Sequence, residues 1–204
     1  MTRLFYQLPN GTPTADLSAL VPTVINPQFL TAAELAEFGV AECVVNYPSV
    51  AWWQELGAKL IDTTLPVHAI TWAVTNRALV ETQQMAWEKI KERRAIERQK
   101  GVSFVFSDGQ TGTIQIRDED ITNLLAIHAA AATALMTNNA TQTPFTDAEN
   151  QTRFLEPAEV LRLVMAAFAH SAHVHVTSQT IRTAINSANS VSKVVDATKW
   201  PGDE

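Results

Sequence analysis

The sequence predicts an α+β fold: a small mixed N-terminal module, a long connecting helix, and a mainly helical C-terminal module carrying two β-hairpins. Three observations predict it. Residues 1–74 are rich in Pro and β-branched residues, broken by turn signals. Residues 76–99 contain neither Gly nor Pro. A hairpin followed by a helix is then written twice between residues 101 and 173. The expected divisions are an N-terminal docking module at 1–74, a connecting helix at 75–100, a hairpin–helix module at 101–192 and a loose tail at 193–204.

The first module opens with a turn at Pro9-Asn10-Gly11, and Asn46-Tyr47-Pro48 marks another. Between them Leu30–Leu35 predicts a short helix, with Thr31 as N-cap and Glu34 three residues on completing a capping box. Gly39 suits the left-handed residue that ends it. Val40 to Val45 reads as a buried strand, and Ile70-Thr71-Trp72-Ala73-Val74 as a second.

The stretch 76–99 suits a helix of about six turns. Its stripe is thin: a seam through Val80, Gln83, Trp87, Ile90 and Arg94 is apolar at only three positions. So narrow a stripe buries little against its own domain, so the helix is expected to be a solvated connector or one strand of an intermolecular coil. Val80, Trp87 and Ile90 become candidate interface residues.

Lys100-Gly101 stops that helix. Val102–Phe106 and Thr113–Ile116 flank Ser107-Asp108-Gly109-Gln110, a strong hairpin signal. Asp118-Glu119-Asp120 then place negative charge where a helix N-terminus favours it. The helix from Ile121 to Met136 is apolar nearly all round, which predicts that it lies at the centre of the module. The second hairpin is Thr143-Pro144-Phe145 and Thr152–Leu155 around Asp147–Asn150. Pro157 opens the second helix at its first position, and that helix has room to run on through Ile181 and Ile185.

The chain has 204 residues, 46% hydrophobic and 18% charged, which is ordinary globular usage rather than disorder. A net charge of −6 gives no overall basic field for nucleic acid, and no apolar run is long enough to span a bilayer. The opening MTRLFYQLPNG has no apolar leader segment, so synthesis in the cytoplasm is expected. The single cysteine, Cys43, flanked by Val44 and Val45, reads as an inert core thiol and permits no internal disulfide.

Three of the five histidines, His170, His173 and His175, fall within six positions. His170 and His173 are the candidate metal ligands, because i,i+3 spacing on a helix brings two nitrogens to one side. A zinc site needs three or four protein ligands, and no Cys and no nearby carboxylate completes one. The favoured reading places His170 and His173 inward as packing residues. His128 reads as a core histidine, and His68 as a loop residue with nothing adjacent to activate. No phosphate loop, nucleophile elbow or metalloprotease helix is present. Trp52-Trp53 reads either as local core or as an exposed aromatic anchor. No catalytic residue and no cofactor emerge.

Several segments together resemble small proteins encoded beside tail-fibre genes in tailed bacteriophages. They are Leu8–Gly11, Leu30–Val40 and the strand with Trp72, followed by Trp87–Arg94, Gly101-Val102 and the Phe106-Ser107-Asp108 turn. Phe145 with Asp147–Asn150, Leu155–Glu159, His170 and Ile185 are similar to the end of an uncharacterised domain in the same proteins. The resemblance implies a non-enzymatic virion structural protein of a tail, baseplate or fibre attachment, in a symmetric multimer with other tail or fibre proteins. The alternative is a tail-fibre assembly chaperone absent from the mature particle, and a remote one a metal-dependent enzyme using the histidines. Neither nucleic acid nor membrane is an expected partner.

Overall fold

The computed structural model describes residues 3–64 and 67–203. Helices and strands are both present in an α+β arrangement. The chain divides into two compact units, Met1–Ala78 and Leu79–Glu204.

In the first unit, β1 (Leu4–Gln7), β2 (Val40–Val45), β3 (Gln54–Asp62) and β4 (His68–Asn76) form one sheet in the order β1-β2-β4-β3. β1 runs antiparallel to β2, β2 parallel to β4, and β3 antiparallel to β4. The helix α1 (Ala32–Glu37) begins as its sequence predicts. Glu34 N–H donates to the Thr31 hydroxyl, and the Glu34 carboxylate accepts from Thr31 N–H at 2.7 Å. Gly39 follows at φ +66°. Phe5, Leu17, Val21, Leu35 and Val40 make one small core, and Tyr6, Cys43 and Ile70 make another.

Two of the four strands, β1 and β3, are not among those the sequence predicts. β3 reads QELGAKLID, poor in β-branched residues and interrupted by Gly57-Ala58. The register with β4 shifts between Leu56 and Lys59, so the weak spot in the sequence is an irregularity in the ladder. β1 spans only four residues and is held as an edge by β2.

In the second unit, α2 (Leu79–Gln99) precedes the hairpin β5 (Val102–Val105) and β6 (Thr111–Ile114), then α3 (Asp118–Met136). The hairpin β7 (Thr143–Thr146) and β8 (Thr152–Leu155) leads into α4 (Pro157–Ser187) and the short α5 (Val191–Ala197). The pseudo-repeat is therefore present, but its two helices differ in role. The expectation that α3 is central is wrong: only Leu124 and Ala131 of its 19 residues are buried. The centre is α4, which packs against α2, α3, α5 and β5. Val160, Leu163, Val164 and Ala167 join Phe106, Ile114, Ile116 and Leu155 in the main core. A fully buried Val or Leu is worth about 1.5–3 kcal/mol, so this half of α4 outweighs any surface pairing in the unit.

The 79–99 helix also departs from expectation. It belongs to the second unit and lies along α4 and α5 rather than standing free as a connector. Its buried face is Thr82, Ala86 and Ile90, not the seam through Val80 and Trp87. The stripe looked thin because two of its positions are small rather than greasy. Small side chains let two helices approach closely, so burial is gained by backbone proximity. The Gln83 amide donates to the Ile185 and Ala188 carbonyls at 3.0 and 3.2 Å, satisfying acceptors that the end of α4 leaves open. The tail is not loose. Val194 and Trp200 are buried, and Asp203 pairs with Arg93 at 3.0 Å.

Overfilling this seam should destabilise the protein. Ala86→Leu is expected to cost about 1–3 kcal/mol, read as a lowered urea midpoint, whereas Ala95→Leu on the exposed side of α2 should leave the midpoint nearly unchanged.

Candidate interaction surface

Polar side chains hold the two hairpins and α4 together. The β7–β8 turn docks on β6: Ala148 N–H donates to Thr113 O at 2.9 Å, and Thr113 N–H donates to the Glu149 carboxylate at 2.9 Å. Asp147 is buried and accepts from Gln151 N–H at 2.8 Å and from the Arg153 guanidinium. Arg153 in turn lies over the Phe106 ring at 4.2 Å. Gly112 is required where the Asp147 carboxylate passes, because a Cβ there would collide with it and with Phe106. Glu159, in the first turn of α4, accepts from the Ser107 N–H at 2.5 Å and its hydroxyl at 2.6 Å.

These two buried carboxylates resemble an acid–base pair on a residue list and behave otherwise in space. Each is occupied by hydrogen-bond donors of the protein itself, so their work is to fix the hairpins. Burial alone would raise the Asp147 pKa. The Gln151 N–H and the Arg153 guanidinium outweigh it and hold the carboxyl below its usual range. Glu149 is likewise lowered, chiefly by the Thr113 N–H.

In the first unit, Tyr6, His68, Lys59 and Cys43 lie close together. Tyr6 OH lies 2.7 Å from His68 Nδ1, and Lys59 Nζ donates to Gly11 O at 2.8 Å while lying 5.5 Å from the centre of the Tyr6 ring. His68 therefore begins a strand and has a partner, contrary to the loop reading. Burial, then the nearby Cys43, raises the Tyr6 pKa, and burial raises that of Cys43. A tyrosine and a thiol both pushed up are poor nucleophiles.

The candidate residues scatter. Ile90 is only 2% exposed inside its own unit, so it is not available to a partner. Trp87 is half-buried with the Arg182 guanidinium 4.8 Å over its ring, and Val80 is exposed. Trp52 and Trp53 are half-buried and meet edge to face at 5.5 Å. His170 is half-buried with Nε2 3.2 Å from Glu97 O, but His173 faces solvent. The buried row on α4 passes through Ala167, Val174 and Ser178, which leaves His173 off the seam. Among the described residues, no three His, Cys, Asp or Glu side chains are grouped to hold a metal ion. Among the same residues, no helix is long and apolar enough to cross a membrane.

What the surface does offer is apolar. Leu125 is 52% exposed, Leu135 48% and Met136 88% on α3, beside the exposed Ala129. In the first unit Ile25 and Phe29 are 90% and 80% exposed, one just before and the other at the end of the short 3-10 turn Pro27–Phe29. Sequence reasoning assigned the α3 residues to a core, since helical periodicity shows that a helix is apolar but not what covers it.

This second unit defines a helical domain organised around two docked hairpins. Residues 81–199 match the family described as a domain of unknown function (DUF4376), and the chain belongs to that family. No curated protein and no solved structure matches the chain. The matched span runs from the start of α2 to just beyond α5 and contains the whole hairpin network.

Because the Asp147 carboxyl is depressed in the folded state, its contribution is present above the ordinary carboxylate pKa of about 3.9 and is lost as pH falls through the lower folded value. Arg153→Ala should cost about 3 kcal/mol at pH 7 by leaving a buried charge unpaired. The gap from wild type should narrow below about pH 4 as Asp147 takes a proton, measured by urea unfolding across pH.

Proposed function

We propose that this chain is a non-enzymatic structural protein that works by protein–protein contact in a phage tail, baseplate or fibre attachment, as part of a symmetric multimer. The observation that carries the contact reading is the exposed apolar face of α3. Leu125 and Met136, eleven residues apart and so on one face with Ala129 between them, are held outward on a 19-residue helix whose neighbouring stripe is anchored by Leu124 and Ala131. A rigid helix presenting large apolar side chains suits a partner surface, since burying them on association costs little ordering of the backbone. The exposed Ile25 and Phe29 offer the first unit a comparable anchor. The placement in a phage tail rests on the ordered motifs from Leu8–Gly11 to Leu155–Glu159. Buried carboxylates held by Ser107, Gln151 and Arg153 fit a protein whose polar groups serve its own packing.

Quantitative mass spectrometry of purified virions should find the chain at a fixed ratio to known tail proteins. Its absence from mature particles, with the chain still bound to fibre protein in lysates, would overturn the structural reading in favour of an assembly chaperone. Leu125→Glu should reduce its particle content at least tenfold while its thermal midpoint stays within a few degrees of wild type.

A further inference from the structure

One groove combines charge with apolar surface. Between α2 and α4 lies a hollow of about 630 Å³ lined by Arg94, Arg98, Phe168, Ala172, His175 and Val176. The two arginines sit one turn apart on α2, where like charges repel unless something negative lies between them. Arg98 gives one arm to Asp118 at 2.8 Å, yet its Nε is buried with no hydrogen-bond partner. Arg94 makes no ion pair or hydrogen bond among the described residues. The nearest acid on the same helix, Glu97, is already taken by Arg93 and Lys100 at 2.6 and 2.8 Å. Thus a chain of net charge −6 keeps an unpaired guanidinium and a half-paired one over the half-buried Phe168 and the exposed Val176.

We propose that this α2–α4 groove takes a segment of a partner protein that carries carboxylates alternating with large apolar side chains. The guanidiniums of Arg94 and Arg98 bind the carboxylates with His175 beside them, and Phe168, Ala172 and Val176 receive the apolar side chains. Planar guanidiniums suit two-point recognition of a carboxylate, and the apolar floor excludes the water that would screen it. Charge complementarity selects an acidic occupant over a neutral or basic one. The inference rests on the contact reading above and gives one of its partners a chemistry.

The test uses the full chain, isotope-labelled, titrated with the peptide Ac-ELELE-NH2 while the Nε–Hε signals of Arg94 and Arg98 and the ring signals of His175 are followed by NMR. The expected result is saturable shifts at those three residues, at least tenfold weaker for Ac-QLQLQ-NH2 and for the Arg94→Glu variant. That variant loses no internal partner and should keep its thermal midpoint, and His175→Ala should weaken binding less. No saturable shift, or equal binding of the neutral peptide, overturns the groove. Equal shifts with inorganic phosphate or acetate at the same concentration mean an adventitious ion only, and also overturn it. A chain that is present in virions but shows no peptide shift removes the groove and leaves the proposed function standing. A chain absent from virions that still binds the peptide through Arg94 does the reverse.

Discussion

The second unit depends on one polar junction, where Asp147, Arg153, Ser107 and Glu159 join two hairpins to the start of the central helix. Two hairpins of four-residue strands have little independent stability, because a lone two-stranded ribbon is marginal in water. They persist here because each closes over the other. Glu149 and Ala148 bridge to Thr113, Arg153 covers Phe106, and Glu159 holds the Ser107 turn. Once the hairpins are fixed, Phe106, Ile114, Ile116 and Leu155 form a surface on which the first half of α4 packs. Buried carboxylates are costly unless matched by donors, so the same network also specifies one arrangement of the hairpins over alternatives.

From that junction α4 runs on for the rest of its 31 residues and organises what remains. Val174, Ser178, Ile181 and Ile185 continue the buried row beyond the hairpins, where α2 and α5 are the neighbours. The small residues Thr82 and Ala86 on α2 and Ser178 on α4 set how closely these helices lie. Gln83 closes the far end by serving the last carbonyls of α4. The repeated hairpin-then-helix plan therefore yields two unequal helices, one central and one peripheral. The peripheral copy, α3, keeps Leu125 and Met136 exposed among the described residues, and this inequality underlies the proposed contact role.

Much of the fold was legible in the sequence, because its signals were local. The capping box at Thr31 and Glu34, the turn around Asp108-Gly109, the acidic start of α3 and the proline opening α4 each act within a few residues. β3 was not legible, since Gly57-Ala58 sits where the ladder is irregular and its alternation is inverted, with Leu56 and Leu60 exposed and Gly57 and Lys59 half-buried. The candidate site was barely legible at all. Ile90 and Trp87 share a helix and a plausible seam, but one is buried in its own unit and the other is capped by Arg182. His170 and His173 share a spacing, but only His170 lies beside a packed neighbour.

The amino-acid sequence by itself determined the order of α2, the two hairpins, α3 and α4, and where α2 stops and α4 starts. It determined neither α5 nor the bounds of β6, which is Thr111–Ile114 rather than the expected Thr113–Ile116. The boundaries it did determine depend on capping, turn geometry and chain charge, whose range is a few residues. Only the tertiary structure decided which apolar helix is core and which is surface. An apolar stripe carries the same signal whether a neighbour covers it or not, and that neighbour comes from far along the chain. For the same reason Asp147 and Glu159, twelve residues apart, became paired supports of one junction, and Arg94 has no ion pair or hydrogen bond among the described residues.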